Sequence, residues 1–180
     1  MKVAFLDRDG LINEDIGYLH EWQYFKYNDL VIPALLNLMN ANYKLIVVTN
    51  QSGIARGYYT ESDFNILNSK MIESLKNHGV YLWDVFYCPH YVGGKVKKYS
   101  VNCSCRKPKP GLLIKAQEKY QIDLANSVLF GDRYSDLEAG KAAGISNNYL
   151  VNRNVKFTPD KRVFKNLLSA TDHFLLSVSS

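Results

Sequence analysis

The stretch FLDRDG, residues 5–10, lies almost at the start of the chain, directly after two other apolar residues. A short apolar run of this kind predicts a buried β-strand, here over residues 2–7, and Gly10 marks the turn that follows it. The strand therefore ends in two carboxylates, Asp7 and Asp9, which stand one residue apart. By itself such a pair is more typical of a solvated turn, so its meaning depends on the rest of the chain.

Strand-like and helical patterns alternate after this first strand. The strand-like runs occupy residues 44–49, 83–88, 127–132 and 148–151. The helical patterns occupy residues 29–42, about 60–77, 111–121, 135–143 and 161–170. Thr60 and Asp63 resemble a capping box at the start of the second helix. This alternation predicts an α/β fold with a central parallel sheet and helices on both faces.

The overall composition is that of an ordinary globular chain. It has 180 residues, 47% apolar and 22% charged, so we expect a single domain over residues 1–180. No apolar run approaches the roughly 20 residues of a membrane helix, and the start of the chain lacks the apolar core of a signal peptide, so we expect a cytoplasmic protein. The net charge of +5 is dispersed apart from residues 95–98 and 106–109. This favours a solvated surface with an anion site over nucleic-acid binding.

Polar residues that could take part in catalysis or ligand binding follow three of the predicted strands. They are residues 7–9 after the first strand, 49–52 after the second and 131–136 after the fourth, with Arg106 and Lys107 just ahead of a helix. Because ligands bind at the carboxyl ends of parallel strands, we expect these four segments to meet at one edge of the sheet.

Carboxylates and cations gathered at one edge indicate phosphoryl transfer. Clustered carboxylates repel one another, and a hard divalent ion, above all Mg²⁺, resolves the clash with oxygen ligands. The ion and the opposing basic side chains then neutralise charge on the phosphoryl oxygens. One aspartate can form an aspartyl-phosphate, and a second can protonate the leaving oxygen and later activate water.

These segments, in this order, resemble the four motifs of the haloacid dehalogenase (HAD) superfamily of phosphatases. The matching elements are DRDG, the Thr49 end of the second strand, Lys107 and GDRYSD. The resemblance implies a Rossmann-like HAD fold in which Asp7 is the nucleophile and Asp9 the general acid and base. It also implies that Thr49 and Lys107 hold the phosphoryl group, and that Mg²⁺ is bound by Asp7, Asp132 and the backbone carbonyl of Asp9.

Two residues beside these motifs have less defined roles. Asp136 either supports the metal site from behind or is simply an acid at the start of a helix. Arg8 must point away from its two aspartate neighbours, because successive side chains of a strand alternate faces. We expect it to form a structural ion pair.

A second set of ligands lies between the third strand and Lys107. Cys88 and His90 are followed, after twelve residues, by Cys103 and Cys105. Three thiols and one imidazole suit a closed, structural Zn²⁺ site, which would stabilise the irregular loop over about 88–105 and fix the cations after it. The alternative is three buried free cysteines and a surface histidine. A nucleic-acid finger fits less well, because no recognition helix follows inside the loop.

Over residues 3–152 the chain is similar to the D-glycero-D-manno-heptose 1,7-bisphosphate 7-phosphatase family of bacterial nucleotide-activated heptose (lipopolysaccharide) synthesis. The matching stretches are FLDRDG, GYLHE, VVTNQSGIARG, CPH, CSCRKPKPG and GDRYSD. The resemblance implies Mg²⁺-dependent hydrolysis of the C7 phosphate of a small sugar bisphosphate. It implies that Arg106 recognises the second phosphate, whereas Arg133 stands where the family often has lysine. The implied pocket residues are Asp15, Ile16, Gly17, Tyr18, Thr49, Asn50, Gln51 and Ser52, together with Arg106, Lys107 and Arg133.

Two alternatives stay open at this point, as does the anomer of the substrate. Histidinol-phosphate phosphatases share the zinc loop, although theirs is typically shorter. A non-catalytic, zinc-stabilised binding module is the alternative of another class, and the intact acidic motifs argue against it.

The segment between Asp7 and Thr49 already includes a helix and leaves no room for a large cap domain, so the loop over 13–28 and the zinc loop must shape the pocket. We expect a monomer, because no apolar surface helix is obvious.

Overall fold

Six strands form one parallel sheet in the computed structural model, which describes residues 1–154 and 162–178. In chain order they are β1 (Val3–Leu6), β2 (Lys44–Asn50), β3 (Leu82–Cys88), β4 (Val128–Gly131), β5 (Asn147–Val151) and β6 (Val163–Phe164). They lie in the order β3-β2-β1-β4-β5-β6, and every neighbouring pair is parallel. The chain moves outward from β1 in both directions, so the switch point of the topology lies between β1 and β4.

Helices connect the strands and cover both faces of the sheet. They are α1 (Val31–Asn40), α2 (Ser52–Arg56), α3 (Glu61–Asn77), α4 (Gly111–Tyr120), α5 (Tyr134–Ala142) and α6 (Leu167–Val178). The predicted capping box begins α3: Asp63 N donates to Thr60 Oγ1 at 3.1 Å, and Thr60 N donates to Asp63 Oδ2 at 2.8 Å. None of the helices in the described ranges combines the length and apolar character needed to cross a membrane.

The core lies on both sides of β1. Ala4 and Leu6 belong to the apolar cluster beneath α1, α3 and α6, whereas Val3 and Phe5 belong to the cluster beneath α4 and α5. Burial on both faces explains why β1 is apolar throughout instead of alternating. The predicted α/β fold is therefore confirmed.

The expected helix over residues 161–170 is wrong in its first half. Residue 161 lies outside the described residues, and Val163 and Phe164 form β6 by pairing with Leu150 and Val151 of β5. The edge of β5 offers hydrogen-bonding partners that outweigh the helical pattern. The helix starts later, at Leu167, because the Asn166 side chain accepts a hydrogen bond of 2.9 Å from the Ser169 amide and caps its first turn.

The stretch NQSGIARGYY, expected to be a loop, contains the five-residue helix α2. The helix ends at Gly57, whose φ of +75° lies in the left-handed region that glycine adopts at low cost. A helix this short leaves little periodicity in the sequence, which is why it was not predicted. It turns the chain back over the end of β2 and so shapes the candidate site.

Candidate active site

Three carboxylates meet where β1 and β4 end, two of them buried and that of Asp132 partly exposed. Asp7 follows β1, Asp132 follows β4 and Asp136 lies in the first turn of α5, and each can offer an oxygen within 4.8 Å of the others. Burial raises the pKa of Asp7 well above its usual range. Burial, reinforced by the charge of Asp136, raises the pKa of Asp132 to about 6. The three carboxylates repel one another when ionised, and a bound cation would relieve that repulsion. The three residues could therefore hold a metal ion.

Two glycines permit this close approach of the acids. A Cβ atom on Gly10, whose φ is +89°, would overlap the carboxylate of Asp132. A Cβ atom on Gly131 would overlap the side chain of Asp136. Both glycines, of DRDG and GDRYSD, are therefore required by the packing of the carboxylates, and Gly10 is also required by its positive φ.

Lys107 supplies the counter-charge of the acidic cluster. Its Nζ atom lies 2.6 Å from a carboxylate oxygen of Asp7 and 2.6 Å from one of Asp136, and it donates a 2.7 Å hydrogen bond to the Val48 carbonyl. Burial disfavours the ammonium, but the two carboxylates raise the pKa of Lys107 to about 12. Lys107 is therefore charged, and its ammonium is shared between Asp7 and Asp136.

Asp9 has a different environment from Asp7. Arg8 donates to both of its carboxylate oxygens at 2.9 Å, Asn13 Nδ2 donates at 3.0 Å and Gln51 Nε2 at 2.9 Å. Burial works against its charge, but Arg8 and these hydrogen bonds lower the pKa of Asp9. Asp9 is thus held ionised. Arg8 forms the expected structural ion pair, and its partner is Asp9. The expectation that Arg8 points away from both neighbouring aspartates is therefore wrong, because β1 ends at Leu6 and the alternation of a strand does not extend to residues 8 and 9.

The end of β2 is tied to the segment that carries Lys107. Asn50 Nδ2 donates to the Lys107 carbonyl and Asn50 Oδ1 accepts from the Lys107 amide, both at 3.1 Å. Thr49 Oγ1 accepts a 2.8 Å hydrogen bond from Gln51 Nε2, and Gln51 Oε1 accepts one of 2.5 Å from Tyr59. The hydroxyl, amides and ammonium are thereby placed at the carboxyl end of the sheet, as predicted.

A cavity of about 540 Å³ opens above these groups. Of the predicted residues it is lined by Asp7, Asp9, Asp15, Gly17, Tyr18, Thr49, Asn50, Gln51, Ser52, Arg106, Lys107 and Arg133. Ile16 is not among the lining residues, and its side chain is 54% exposed. Arg133 lies at the rim, where its guanidinium is 2.8 Å from Asp15 and 3.6 Å from Asp132.

The four predicted ligands of the loop after β3 converge. The Sγ atom of Cys88 lies 3.6 Å from that of Cys103 and 3.1 Å from that of Cys105, and His90 Nδ1 lies 3.3 Å from the Cys105 sulfur. A tetrahedral zinc ion with Zn–S bonds of about 2.3 Å would separate its ligand atoms by roughly 3.4–3.8 Å. The 3.6 Å separation lies in this range and the 3.1 and 3.3 Å separations are somewhat shorter, so the converging donor set is compatible with a closed metal site. His90 is half-buried and lies beside the sulfur atoms of Cys88 and Cys105, so the cluster is compatible with zinc.

Comparisons with known proteins agree with this geometry. A family model described as HAD-hydrolase-like matches residues 104–168. The chain is 46% identical to the D-glycero-alpha-D-manno-heptose-1,7-bisphosphate 7-phosphatase of Photorhabdus laumondii over 151 residues, 84% of this chain and 82% of the relative. The chain belongs to the heptose-1,7-bisphosphate 7-phosphatase family. It is also 44% identical to the D-glycero-beta-D-manno-heptose-1,7-bisphosphate 7-phosphatase of Escherichia coli K12, over 89% of this chain and 84% of the relative.

A solved structure shows the same fold in a heptose bisphosphate phosphatase. The D,D-heptose 1,7-bisphosphate phosphatase of B. bronchiseptica, crystallised with magnesium and phosphate, matches with a TM-score of 0.82 at 28% identity. The match covers 98% of this chain and 99% of that one. The HAD fold expected for this family is thus confirmed.

Three residues that line the cavity were not predicted from the sequence: Arg56, Tyr59 and Ser135. Arg56 and Tyr59 reach the cavity because the unpredicted helix α2 turns the chain back toward β2. Arg56 does lie in the stretch VVTNQSGIARG that matches the heptose bisphosphate phosphatase family. Its position in that stretch is the signal that could have identified it.

Proposed function

We propose that the chain hydrolyses the C7 phosphate of D-glycero-D-manno-heptose 1,7-bisphosphate, giving heptose 1-phosphate in bacterial nucleotide-activated heptose synthesis. The observation that carries the proposal is the buried cluster of Asp7, Asp132, Asp136 and Lys107 at the base of a polar cavity. Relatives of 46% and 44% identity bear the name of this activity. The cluster supplies the groups that phosphoryl transfer from a small sugar requires.

Asp7 and Asp9 divide the chemistry between them. Asp7 attacks the phosphorus of the C7 phosphate and forms an aspartyl-phosphate as the bond to the C7 oxygen breaks. Asp9 delivers a proton to that leaving oxygen. Water then attacks the phosphorus, Asp9 takes the proton of the water, and inorganic phosphate leaves as the Asp7 carboxylate is restored.

The contacts of Asp9 suit its role as the base that takes a proton from water. Its hydrogen bonds from Arg8, Asn13 and Gln51 keep it ionised, which is the state of a base. As the acid that protonates the leaving C7 oxygen, Asp9 must first carry a proton. A phosphate dianion bound in the cavity adds negative charge beside Asp9 and raises its pKa, so substrate binding itself favours the protonated acid.

The transferred group is held by Lys107 and Thr49. When bound by Asp7, Asp132 and the backbone carbonyl of Asp9, Mg²⁺ supplies positive charge at the phosphoryl oxygens. Asp136 then acts as a positioning residue for Lys107, because its carboxylate lies 2.6 Å from the ammonium. This contact favours a supporting role for Asp136 over that of a simple acid at a helix start.

The Cys₃His set is proposed to bind one structural Zn²⁺. Its four donors, Cys88, His90, Cys103 and Cys105, leave no open position for substrate, which is typical of structural zinc. The site immediately precedes Arg106 and so fixes the segment of the loop that carries both Arg106 and Lys107.

We also propose that the chain is a cytoplasmic monomer with one domain over residues 1–180. Three thiols bound to one metal ion suit the reducing cytoplasm.

The proposed reaction is tested by identifying its products. The purified protein is incubated with Mg²⁺ and heptose 1,7-bisphosphate, and the products are followed by ³¹P NMR. We expect one equivalent of inorganic phosphate and a sugar that keeps its C1 phosphate. The Asp7→Asn variant serves as the control for a contaminating phosphatase. Loss of the C1 phosphate instead, or no hydrolysis, would refute the proposal.

A further inference from the structure

Tyr59 is a buried tyrosine in the wall of the cavity, in the turn between α2 and α3. Its ring is stacked on the imidazole of His20, with the two centroids 5.2 Å apart and an angle of 12° between the planes. The ring also lies against Gly53, where an added Cβ atom would overlap it. Packing therefore fixes the ring of Tyr59 and, with it, the position of the hydroxyl group.

That hydroxyl helps to fix the orientation of the Gln51 amide. Tyr59 donates to Gln51 Oε1 at 2.5 Å, and Arg8 Nη2 donates to the same oxygen at 3.3 Å. Gln51 Nε2 donates to Asp9 Oδ2 at 2.9 Å and to Thr49 Oγ1 at 2.8 Å. The buried amide thus uses both of its N–H groups and accepts two hydrogen bonds. A flipped amide would place its oxygen against the Asp9 carboxylate and its NH₂ group against Arg8, so the donors to Oε1 select one orientation.

The Gln51 amide in turn fixes the rotation of the Asp9 carboxylate. Arg8 donates to both oxygens of Asp9 at 2.9 Å, whereas Asn13 Nδ2 donates only to Oδ1 and Gln51 Nε2 only to Oδ2. The separate partners on the two oxygens define how the carboxylate is turned. A general acid must aim one oxygen at the atom that receives the proton. The rotation of Asp9 therefore depends on an amide whose orientation Tyr59 helps to set.

We propose that Tyr59 is a positioning residue of the phosphatase reaction: its hydroxyl orients the Gln51 amide, which holds the Asp9 carboxylate aimed at the leaving oxygen. The inference rests on the proposed function, since it assigns a role in the proton transfer of that reaction. Tyr59 transfers no proton itself, and the role requires no contact with the substrate. Loss of the hydroxyl should therefore slow the step that needs a proton donor and leave substrate binding unchanged.

The test removes the hydroxyl with Tyr59→Phe, which keeps the packed ring. The values of kcat and KM are measured with Mg²⁺ for heptose 1,7-bisphosphate, whose leaving oxygen needs a proton, and for 4-nitrophenyl phosphate, whose phenolate leaves without one. The ratio kcat/KM reports the steps through cleavage of the first bond, so it isolates the acid role of Asp9. Loss of one hydrogen bond should lower kcat/KM about 3-fold to 10-fold for the heptose substrate, through kcat, and less than about 2-fold for the aryl phosphate.

Two further variants provide the controls. Tyr81→Phe removes an exposed tyrosine hydroxyl just before β3, at the opposite end of the sheet from the cavity, and should match wild type on both substrates. Gln51→Ala breaks the link between Tyr59 and Asp9 and should likewise harm the heptose substrate more than the aryl phosphate. In the Gln51→Ala background, Tyr59→Phe should cost less than about 2-fold more on the heptose substrate, because the hydroxyl has no amide left to orient. If Tyr59→Phe does not fold by circular dichroism, the substrate difference in Gln51→Ala decides the matter.

The outcomes separate this inference from the proposed function. If wild type releases no phosphate from heptose 1,7-bisphosphate, the proposed function fails and the inference fails with it. If wild type is active and Tyr59→Phe loses nothing, loses equally on both substrates or changes KM alone, only the role of Tyr59 is overturned. A full additional loss in the Gln51→Ala background would also overturn it, since Tyr59 would then act independently of Gln51.

Discussion

Replacing Asp132 by asparagine should stabilise the protein at neutral pH in the absence of magnesium. Asp132 shares a buried site with Asp7 and Asp136, and burial with the charge of Asp136 raises its pKa to about 6. An unfolded aspartate has a pKa of about 3.9. Between these values the folded state keeps a proton that the unfolded state has lost, so the free energy of unfolding falls as pH rises through this window. Asparagine removes this penalty because it carries no charge.

The size of the effect follows from the pKa difference. One pKa unit corresponds to about 1.36 kcal/mol, so a rise of about two units sets an upper limit of ~3 kcal/mol at neutral pH. The charge of Arg133, 3.6 Å away, is already included in that pKa, but the side chain is 14% exposed, so solvent screens part of the penalty. We therefore expect the variant to be more stable by about 1–3 kcal/mol, which is a Tm higher by about 2–10 °C for a chain of this size.

The assay is thermal unfolding of wild type and Asp132→Asn in magnesium-free buffer at about pH 4 and about pH 7.5, with and without MgCl₂. The difference in Tm should be present at the higher pH and absent at the lower. Magnesium should raise the Tm of wild type at the higher pH and should have little effect on the variant, which lacks a carboxylate ligand. Glu138→Gln on α5 is the matched control, since it removes an acid of the same helix that lies outside the cluster. A variant no more stable than wild type at about pH 7.5, or equally stabilised at both pH values, would refute the reasoning.

Three further predictions concern the catalytic pair and the metal loop. Asp7→Asn should keep its fold by circular dichroism and retain less than about a tenth of wild-type phosphate release, because an amide cannot form the acyl-phosphate. Asp9→Asn should lower kcat by about 10²-fold to 10⁴-fold, the contribution of general acid–base catalysis; an undiminished kcat would remove Asp9 from that role. Elemental analysis of protein purified without chelators should find about one zinc per chain, and Cys105→Ala should lose it. Metal-free wild type with freely titratable thiols would contradict the zinc site.

The parallel sheet and the acidic residues at its carboxyl edge could be predicted from the sequence for a physical reason. Strands buried on both faces are continuously apolar, and the polar residues that follow them must lie at the carboxyl edge of a parallel sheet. The order of these segments along the chain is therefore enough to bring Asp7, Thr49, Lys107 and Asp132 together. The four candidate zinc ligands were recognisable because three Cys and one His side chain match the donor set of a closed tetrahedral site, although the one-residue gaps within each pair are shorter than the usual gaps of two to four.

The parts that were not predicted depend on contacts that no local pattern records. Whether residues 163–164 form a strand depends on the free edge of β5, which is distant in sequence. The inward position of Arg56 depends on a five-residue helix too short to show a period. The resemblance implies a continuous run of pocket residues that includes Ile16, whereas Ile16 is exposed and does not line the cavity.

The central claim is most directly tested by one substrate panel with Mg²⁺. The values of kcat/KM are measured for both anomers of D-glycero-D-manno-heptose 1,7-bisphosphate, for fructose 1,6-bisphosphate and for histidinol phosphate. One heptose bisphosphate anomer should exceed both other compounds by at least about 10-fold, since both phosphates and the sugar of the proposed substrate must be accommodated in the transition state. A value for histidinol phosphate or fructose 1,6-bisphosphate that exceeds the values for both heptose anomers would contradict the account.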